Sequence, residues 1–527
     1  MNTPLYDYLI SYSQSDTLRC HMPGHKGGAD SKNIMSRLNG LFDLDITEIS
    51  GADSLFEADG IIAESERNMS QLYGSAATVY SAGGSTLCIQ AMLTLMKQDN
   101  RKVFAVRNVH RAFLNACALL DIDAEWIMPE YNGSILSGEI SLSDVEKRLK
   151  DCRKPSCLYI TSPDYTGKTA DIRSLAEICH RYGAKLIVDN AHGAHLAFMP
   201  ENIHPMNLGA DLCCDSAHKM LPALTGSAML HTSCIEYADR LKQAMSFFGS
   251  TSPSYLIMAS LDLCCKYISC QIKADIKRNS ADISAFRKRF SDRLSFADGE
   301  LFHITVKASE NGYNGNELAQ LMRENGAECE YSDDDLLILL MSPVNVSDDY
   351  IRLAEILEKS LENAERHTVK NEKFSLSLPE KAMSVRDAVF SPTEEIPVDS
   401  AEGRICASVK VPCPPAIPIA SSGEIISREC INIFKKYGIL TVNVVKYKDE
   451  ELLCDIEKIH TTEQGAERIR NNMSADIPDA DRWCRDKIAD YSSVIRKGKN
   501  LYYTCEDCVI TVNAKSCTVI TVHPKRK

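Results

Sequence analysis

The stretch CCDSAHKMLP, residues 213–222, places a lysine among groups that could help it do chemistry. Lys219 follows a short apolar run, and Ser216 and His218 set a hydroxyl and an imidazole close to it in the chain. A lysine held just past a strand, beside hydrogen-bond donors, suits a nucleophile that forms a Schiff base with a carbonyl group. These residues alone fit a solvated surface lysine equally well.

A carboxylate ends an earlier apolar run of the chain, in KLIVDNAHGAH. Asp189 could hold a cationic nitrogen inside a cleft, because an opposite charge stabilises an ionised group, or it could simply cap a turn. His192 and His195 follow at short spacing. They could bind a metal ion, but ordinary hydrogen bonds are the favoured interpretation, and no metal site is predicted.

A glycine turn still earlier in the chain predicts an anion site, in SAGGSTLCIQAML. Gly83 and Gly84 allow a tight turn, and Ser85 and Thr86 then begin a helix with apolar periodicity. The free N–H groups and the dipole of a helix start favour phosphate binding. The alternative is a plain helix cap after a glycine turn.

The combination is more informative than its parts. A phosphate-binding helix start, a carboxylate at a strand end and a later lysine are the three anchors that pyridoxal 5'-phosphate requires. The carboxylate keeps the pyridine nitrogen protonated, the lysine bonds to the aldehyde carbon, and the protein supplies position and charge. Their order along the chain therefore predicts this cofactor.

Strands and helices that could position these residues alternate between about residues 75 and 235, which predicts an α/β fold. A mostly parallel sheet with helices on both faces is expected, with ligands at the carboxyl ends of the strands. The predicted strands lie in KVFAVRNVH, SCLYITSPD and AKLIVDNAH, and the predicted helices in STLCIQAMLTLMKQ, HRAFLNACALL and DIRSLAEICHRYG.

Five regions are predicted from the change of pattern along the chain. Helices are expected in SADISAFRKRFSDRL, NELAQLMREN and SDDYIRLAEILEKSLENAE, a strand in DDLLILLMSP, a connector in RHTVKNEKFSLSLPEK, and antiparallel strands in VIRKGKNLYYTCEDCVITVNAKSCTVITVHPKRK. The regions are an N-terminal arm (1–60), a cofactor-binding major domain (61–270), a small α+β domain (271–370), a C-terminal domain (371–450) and an extra α+β domain (451–527).

Composition narrows the class of protein. A net charge of −13 over 527 residues argues against a general nucleic-acid or membrane-surface role. No uncharged apolar run is long enough to span a membrane, and the N-terminus lacks a signal-peptide pattern, so a cytoplasmic protein with no membrane span is expected. The 21 cysteines are then reduced thiols, and the lone pair Cys505 and Cys508 is more consistent with buried cysteines than with zinc.

The chain also resembles the bacterial ornithine/lysine/arginine decarboxylase family, in its short form without a receiver-like N-terminal domain. The similar stretches follow the family's order over about residues 15–265, and SAEGRICA with CPPAIPIASSGEII resembles the family's C-terminal domain. The tail, ending in ITVNAKSCTVITVH, resembles a small bacterial domain of unknown function. The similar stretches are HMPGHKGG, DITEISGADSL, GGSTLCIQAM, RNVHRAFLNA, TSPDYTG, VDNAHGAHL, SAHKMLPALTGSAMLH and GSTSPSYLIMASLD.

The resemblance implies the aspartate aminotransferase-like fold of PLP-dependent transferases, called fold type I, and a role for each matching residue. Lys219 is the Schiff-base lysine, Asp189 pairs with the pyridine nitrogen, His110 stacks on the cofactor ring, and His192 lies near ring and substrate. Glu424 is expected near the distal amine or guanidine of the substrate. The phosphate is expected to contact Gly84, Ser85, Thr86, Ser216 and His218, together with Thr251 or Ser252 of a neighbouring subunit.

The implied activity is α-decarboxylation of arginine, lysine or ornithine to agmatine, cadaverine or putrescine, a step of polyamine biosynthesis. The family resemblance also implies a homodimer or larger oligomer with the active site at the interface. Another fold-type-I reaction, such as transamination or desulfurization, and a non-catalytic cofactor-binding regulator are the alternatives. Departures from the family pattern at Ala217, Cys413, Ala416 and Ser422 bear on substrate choice.

Overall fold

The computed structural model describes residues 1–27, 38, 40–131, 133–368, 376–408, 417–446, 455–473, 475, 477–491 and 493–525. Two compact units divide the chain: Met1–Leu378 with Val411–Ile419, and Pro379–Lys410 with Ala420–Lys527. The departures at Cys413 and Ala416, residues 369–375 of the expected connector and the expected boundary at residues 450/451 lie outside the described residues.

The first unit is built on a seven-stranded sheet of order β1-β9-β8-β7-β6-β2-β3. Strands β3, β2, β6, β7 and β8 pair in parallel, while β9 is antiparallel to both of its neighbours, so the mostly parallel sheet is confirmed. A separate two-stranded hairpin joins β4 and β5. The strands are β1 (Ala77–Ser81), β2 (Lys102–Val106), β3 (Glu125–Ile127), β4 (Glu130–Tyr131), β5 (Gly138–Glu139), β6 (Ser156–Thr161), β7 (Lys185–Asp189), β8 (Leu212–Asp215) and β9 (Ala228–Thr232).

Helices cover both faces of this sheet, as parallel strands require. On one face α6 and α7 bury Val145, Leu149 and Leu175 against Leu158 and Val188 of the central strands. On the other face α4 packs against β1, β8 and β9, and α5 packs against α4. The helices are α1 (Pro4–Ser13), α2 (Leu41–Leu44), α3 (Ile61–Tyr73), α4 (Gly84–Gln98), α5 (Arg111–Leu120), α6 (Leu142–Asp151), α7 (Ile172–Arg181), α8 (Pro205–Leu208), α9 (Ala217–Met220), α10 (Ile235–Ala238), α11 (Leu241–Ser246) and α12 (Tyr255–Cys270).

A smaller α+β layer completes the first unit. Its antiparallel sheet has the order β10-β12-β11, and the predicted helices and the predicted strand of this region are confirmed. Its apolar side chains share one core with α1, α3 and α12, which places the layer in the same compact unit as the large sheet. Its elements are α13 (Ile272–Arg289), β10 (His303–Lys307), α14 (Gly315–Glu324), β11 (Tyr331–Ser332), β12 (Leu336–Leu340) and α15 (Ser347–Asn363).

The second unit contains two further sheets. One has the order β13-β15-β14, formed by β13 (Thr393–Pro397), β14 (Cys406–Ser408) and β15 (Thr441–Val445), with α16 (Val385–Phe390) and α17 (Arg428–Lys436). The other is an antiparallel meander, β16 (Ser493–Lys497), β17 (Asn500–Thr504), β18 (Cys508–Asn513) and β19 (Val519–Pro524), accompanied by helices Glu463–Met473 and Ala480–Ala489. The expected antiparallel strands of the tail are thus confirmed.

The meander and its two helices enclose a hydrophobic core of their own, which includes Ile469, Cys484, Tyr503 and Ile510. Cys505 and Cys508 flank the turn between β17 and β18 and are both buried, as expected of structural cysteines. Burial raises the pKa of the Cys508 thiol to about 12, so this thiol stays protonated. The described cysteines form no disulfides. In the part of the chain that the structure describes, every helix is too short or too polar to cross a membrane.

Candidate active site

Asp189 lies at the carboxyl end of β7, in the middle of the large sheet. The strand before it is buried on both faces, and Asp189 itself is only 2% exposed. Its carboxylate accepts hydrogen bonds from the hydroxyl of Tyr159 at 3.2 Å and from the N–H of Ala191 at 3.2 Å. These bonds fix the carboxylate at the sheet edge where open α/β sheets bind their ligands.

Lys219 reaches the same edge from the neighbouring strand. β8 runs parallel to β7 and ends at Asp215, and the single helical turn α9 then carries Lys219. The Lys219 Nζ lies 3.1 Å from the Nε2 of His192, which follows Asp189 closely in the chain. The side chain of Ala217 is fully buried in the core between the sheet and α12, so the departure at this position contributes a methyl group to packing.

The predicted anion site forms where α4 begins. The hydroxyls of Ser85 and Ser216 meet at 3.0 Å, although 131 residues separate them. Gly84 adopts a left-handed φ of +67°, and its N–H donates to the carbonyl of Gly226, so Gly84 shapes the turn while its own N–H is engaged. No side chain caps the helix at Gly83, and the first-turn N–H groups of a helix have no intrahelical acceptor.

His218 and His110 border this region in different ways. The Nδ1 of His218 lies 2.9 Å from the carbonyl of Ser227, to which it donates, so its Nε2 remains for a further hydrogen bond. His110 caps α5, since its Nδ1 accepts from the N–H of Ala112 at 3.1 Å. Burial lowers the pKa of His110, although the nearby charge of Asp189 opposes the shift, so the imidazole is neutral near pH 7.

Two buried hydroxyls at this edge have no hydrogen-bond partner among the described residues. The Oγ1 of Thr161 ends β6 directly opposite Asp189, and the Oγ of Ser227 precedes β9 beside Gly226. Unsatisfied buried polar atoms are uncommon and call for a partner. A carboxylate, a lysine, two serine hydroxyls and a helix start at one sheet edge therefore fit pyridoxal phosphate, with unsatisfied hydroxyls left for a polar ligand.

The structure adds two residues that the motifs do not indicate, Glu300 and His303. His192 contacts His303 at 3.2 Å through its Nδ1, and the Nδ1 of His303 is hydrogen-bonded to the carboxylate of Glu300. The other oxygen of Glu300 bonds to His195, which explains the second histidine of the motif without a metal ion. The only sequence signal is an acidic residue and a histidine three apart in DGELFHITV, and nothing there connects them to His192.

The structure locates three further predicted residues, but their contacts do not test the predicted roles. Thr251 and Ser252 are exposed in the loop before α12, a position open to another subunit. Glu424 belongs to the second unit, where it is 3% exposed and its carboxylate accepts from the N–H of Ser421 at 2.7 Å. Their assignments remain predictions.

One group of described residues has ligand atoms close enough for a metal ion: His204, Asp215 and His231. Both histidines lie within hydrogen-bonding distance of the Asp215 carboxylate through Nε2, at 3.0 and 3.2 Å, and all three side chains are fully buried. Burial would raise the pKa of Asp215, but the two histidines and their hydrogen bonds outweigh it and hold the pKa below its usual range. Hydrogen bonds between these groups account for the arrangement.

The chain has the fold type I architecture of PLP-dependent enzymes, and its cofactor is pyridoxal 5'-phosphate. Family models match three parts of the chain: the Orn/Lys/Arg decarboxylase major domain (residues 3–309), the C-terminal domain of the same family (367–438) and a protein family of unknown function (453–523). The chain belongs to the Orn/Lys/Arg decarboxylase family and is a PLP-dependent amino-acid decarboxylase.

Individual relatives agree with this assignment. An arginine decarboxylase of Bacillus subtilis is 28% identical over 82% of this chain and 93% of its own length. The uncharacterized protein YaaO of the same organism is also 28% identical, over 87% of this chain and 99% of its own. A lysine decarboxylase structure from Francisella novicida has a TM-score of 0.72 at 17% identity and covers 84% of this chain and 81% of its own, which shows the shared fold.

Proposed function

We propose that this chain removes the α-carboxylate of a basic amino acid, with arginine as the first candidate. The observation that carries the proposal is the meeting of Asp189, Lys219 and the Ser85–Ser216 pair at one edge of the sheet. The choice of arginine is supported by relatives named arginine decarboxylase, which are 27–28% identical over 82% of this chain. If arginine is the substrate, the products are agmatine and CO2.

Each anchor has one task in this proposal. When bound, pyridoxal phosphate supplies the electron sink for the pair released as the Cα–carboxylate bond breaks. The Nζ of Lys219 would hold the cofactor. Asp189 keeps a proton on the ring nitrogen by its negative charge. Ser85, Ser216 and the start of α4 bind the phosphate.

The imidazoles act around these anchors. His110, neutral and half-buried at the start of α5, would pack against the cofactor ring, and the Nε2 of His218 would face the phosphate. His192 accepts a hydrogen bond from Lys219 and lies between it and His303. Glu424 is assigned to the distal charged group of the substrate, because a buried carboxylate stabilises a guanidinium or ammonium group.

We also propose that the enzyme acts as a dimer or a larger oligomer, with Thr251 or Ser252 completing the phosphate site of a neighbouring subunit. Both residues are exposed, and Phe247 just before them leaves 60% of its side chain exposed. An exposed aromatic residue beside polar groups is typical of a protein interface. Sedimentation equilibrium of the purified protein measures the mass directly, and a monomer would contradict this part of the proposal.

The reaction is tested by incubating the purified chain and pyridoxal phosphate with arginine, lysine and ornithine in separate assays. Released CO2 and the amine product are quantified together, and agmatine at the highest kcat/KM is expected. A keto acid would indicate transamination, and a persulfide from cysteine would indicate desulfurization. A protein that binds the cofactor and turns over none of these amino acids would support a regulatory role instead.

A further inference from the structure

A continuous line of hydrogen bonds leads from Lys219, through a part-buried contact with His192, to the buried His303 and Glu300. Lys219 Nζ and His192 Nε2 are 3.1 Å apart, His192 Nδ1 and His303 Nε2 are 3.2 Å apart, and His303 Nδ1 bonds to Glu300. Exposure is 6% for His192, 1% for His303 and 6% for Glu300, so water has little access to these three residues, whereas Lys219 is half-buried. The line joins α9, the loop after β7 and the start of β10.

The carboxylate at the inner end is held as an acceptor. Glu300 accepts from the backbone N–H groups of His303 at 2.9 Å and of Phe302 at 3.1 Å, in addition to the rings of His303 and His195. Burial alone would raise the pKa of Glu300, but the charge of His195 and the hydrogen bonds from His195 and His303 outweigh it and lower this pKa well below its usual range. Glu300 is therefore ionised.

An ionised carboxylate fixes the direction of every bond in the line. Because it can only accept, the Nδ1 of His303 must carry a proton. In a neutral His303 the Nε2 is then an acceptor, so the Nδ1 of His192 carries a proton and donates to it. The Nε2 of His192 is consequently an acceptor facing Lys219, whose ammonium group can only donate.

We propose that His192 and His303 form a proton relay that accepts a proton from Lys219, and that Glu300 positions the relay and holds the resulting charge. The relay rests on the proposed function, since it deepens the role of Lys219. In the transfer, a proton moves from Lys219 Nζ to His192 Nε2 while the Nδ1 proton of His192 moves to His303 Nε2. Lys219 becomes a neutral amine and His303 a cation paired with Glu300.

The relay would remove the proton that keeps Lys219 from acting as a nucleophile. A lysine is nucleophilic only as the free amine, yet an isolated lysine is protonated near pH 7. Lys219 must lose a proton before it can bond to the cofactor, and the buried imidazole of His192 lies in contact with its Nζ. Among the described residues, the charged or titratable groups near the relay include His110 and His195 near His192, Asp189 near His110, and Arg287, which donates to the carbonyl of His303 at 3.1 Å. The ring of Tyr165 contacts His192 edge-on at 5.2 Å.

The first measurement uses the cofactor-free protein. Nitrogen NMR of protein labelled with 15N-histidine, with His192→Gln to assign the signal, reports which ring nitrogen of His192 carries the proton. We expect the Nδ1–H form below the pKa of Lys219. Protonation at Nε2 under these conditions would overturn the relay, whether or not the protein decarboxylates any amino acid.

The second measurement follows the rate at which the cofactor-free protein takes up pyridoxal phosphate at Lys219, by absorbance across pH. His303→Gln keeps an amide oxygen for His192 but cannot accept a proton, and Glu300→Gln removes the charge that stabilises the His303 cation. In both variants the midpoint of the pH profile is expected to rise by about one pH unit or more. In His303→Gln, the Nδ1–H form of His192 is expected to persist.

The control is His180→Gln, which removes a histidine–carboxylate pair outside the site, where His180 lies 2.9 Å from Asp211. Its midpoint is expected to match the parent. A parent-like midpoint in folded His303→Gln would overturn the relay while leaving the decarboxylase proposal intact. If Glu300→Gln does not fold, the NMR of the parent and the profile of His303→Gln still decide the question. A protein without decarboxylase activity that shows the expected midpoint shifts would refute the proposed function alone.

Discussion

At the scale of single residues, the chemistry proposed for the site depends on the positions of a few charged side chains. The negative charge of Asp189 is kept out of water at the end of β7, and that of Glu300 at the inner end of the relay. Lys219 contacts His192, and His303 connects His192 to Glu300. Electrostatic interactions are stronger where water is excluded, so changing one of these groups should affect turnover far more than changing a surface charge.

Replacing Lys219 by alanine tests the covalent anchor. The variant is expected to lose the absorbance of lysine-bound cofactor, and turnover should fall by about 10³-fold or more, since the nucleophile is gone. Lys266→Ala, an exposed lysine on α12, is the control and should match the parent. CO2 release by Lys219→Ala at the parent rate would show that another residue is the anchor.

Replacing Asp189 by asparagine removes the charge with little change of shape. The variant should still show the absorbance of lysine-bound cofactor, but turnover is expected to fall by about 10²–10⁴-fold, because the ring nitrogen no longer has its charge partner. Asp239→Asn, at an exposed position after α10, serves as the control. Turnover equal to that of the parent would exclude Asp189 from the proposed role.

At the scale of elements, the sheet brings distant segments to one edge. The start of α4 follows β1 and the turn α9 follows β8, and the strand between them in the sheet, β9, is antiparallel to both. This order places Ser85 beside Ser216 and leaves the N–H groups of α4 facing the same space. The phosphate site therefore depends on the pairing of β1, β9 and β8 as well as on its own residues.

The serine pair can be tested through cofactor affinity. Ser85→Ala and Ser216→Ala each remove one hydroxyl, and each is expected to weaken cofactor binding by about 10-fold, since a hydrogen bond to a charged group contributes about 1.5–3 kcal/mol. The dissociation constant is measured by titrating cofactor-free protein. Ser246→Ala, at an exposed position on α11, is the control. Parent-like affinity in both variants would move the phosphate away from this pair.

At the scale of the whole molecule, the C-terminal segment from residue 453 onward is separable by its packing. Residues of the meander and its helices bury their apolar side chains in a core of their own, and a distinct family model matches residues 453–523. A segment with its own core can fold as a domain. The division of the chain into five regions remains a hypothesis. Truncation tests it most directly for the last region.

Truncating the chain after residue 452 tests whether the last region is a separate domain. We expect kcat and KM for the amino-acid substrate to stay within about twofold of the parent, because the proposed anchors lie in the first unit. The isolated segment 453–527 should unfold cooperatively in urea, followed by circular dichroism. A large loss of turnover in a folded, cofactor-loaded truncated protein would show that the tail takes part in catalysis.

The sequence by itself predicted a set of cofactor anchors, which remain a proposal, and much of the fold, which the structure confirms. Glycine turns, strand ends and helix periodicity are local signals, so Ser85, Asp189 and Lys219 could be assigned in order, and the alternation of strands and helices predicted the mostly parallel sheet. His192 was also found, because it lies in the same motif as Asp189. These features depend on neighbours within a short distance along the chain.

Only the tertiary structure shows which residues are connected to Lys219 through His192. His303 lies 111 residues after His192, in a strand of a different sheet, and no local pattern encodes that contact. In the sequence, the acid and the histidine of DGELFHITV look like residues of an ordinary loop. Only the folded structure shows that both side chains are buried. The reason is physical: hydrogen-bond direction and charge stabilisation depend on distance and burial in the folded chain, and neither is a property of a short stretch of sequence.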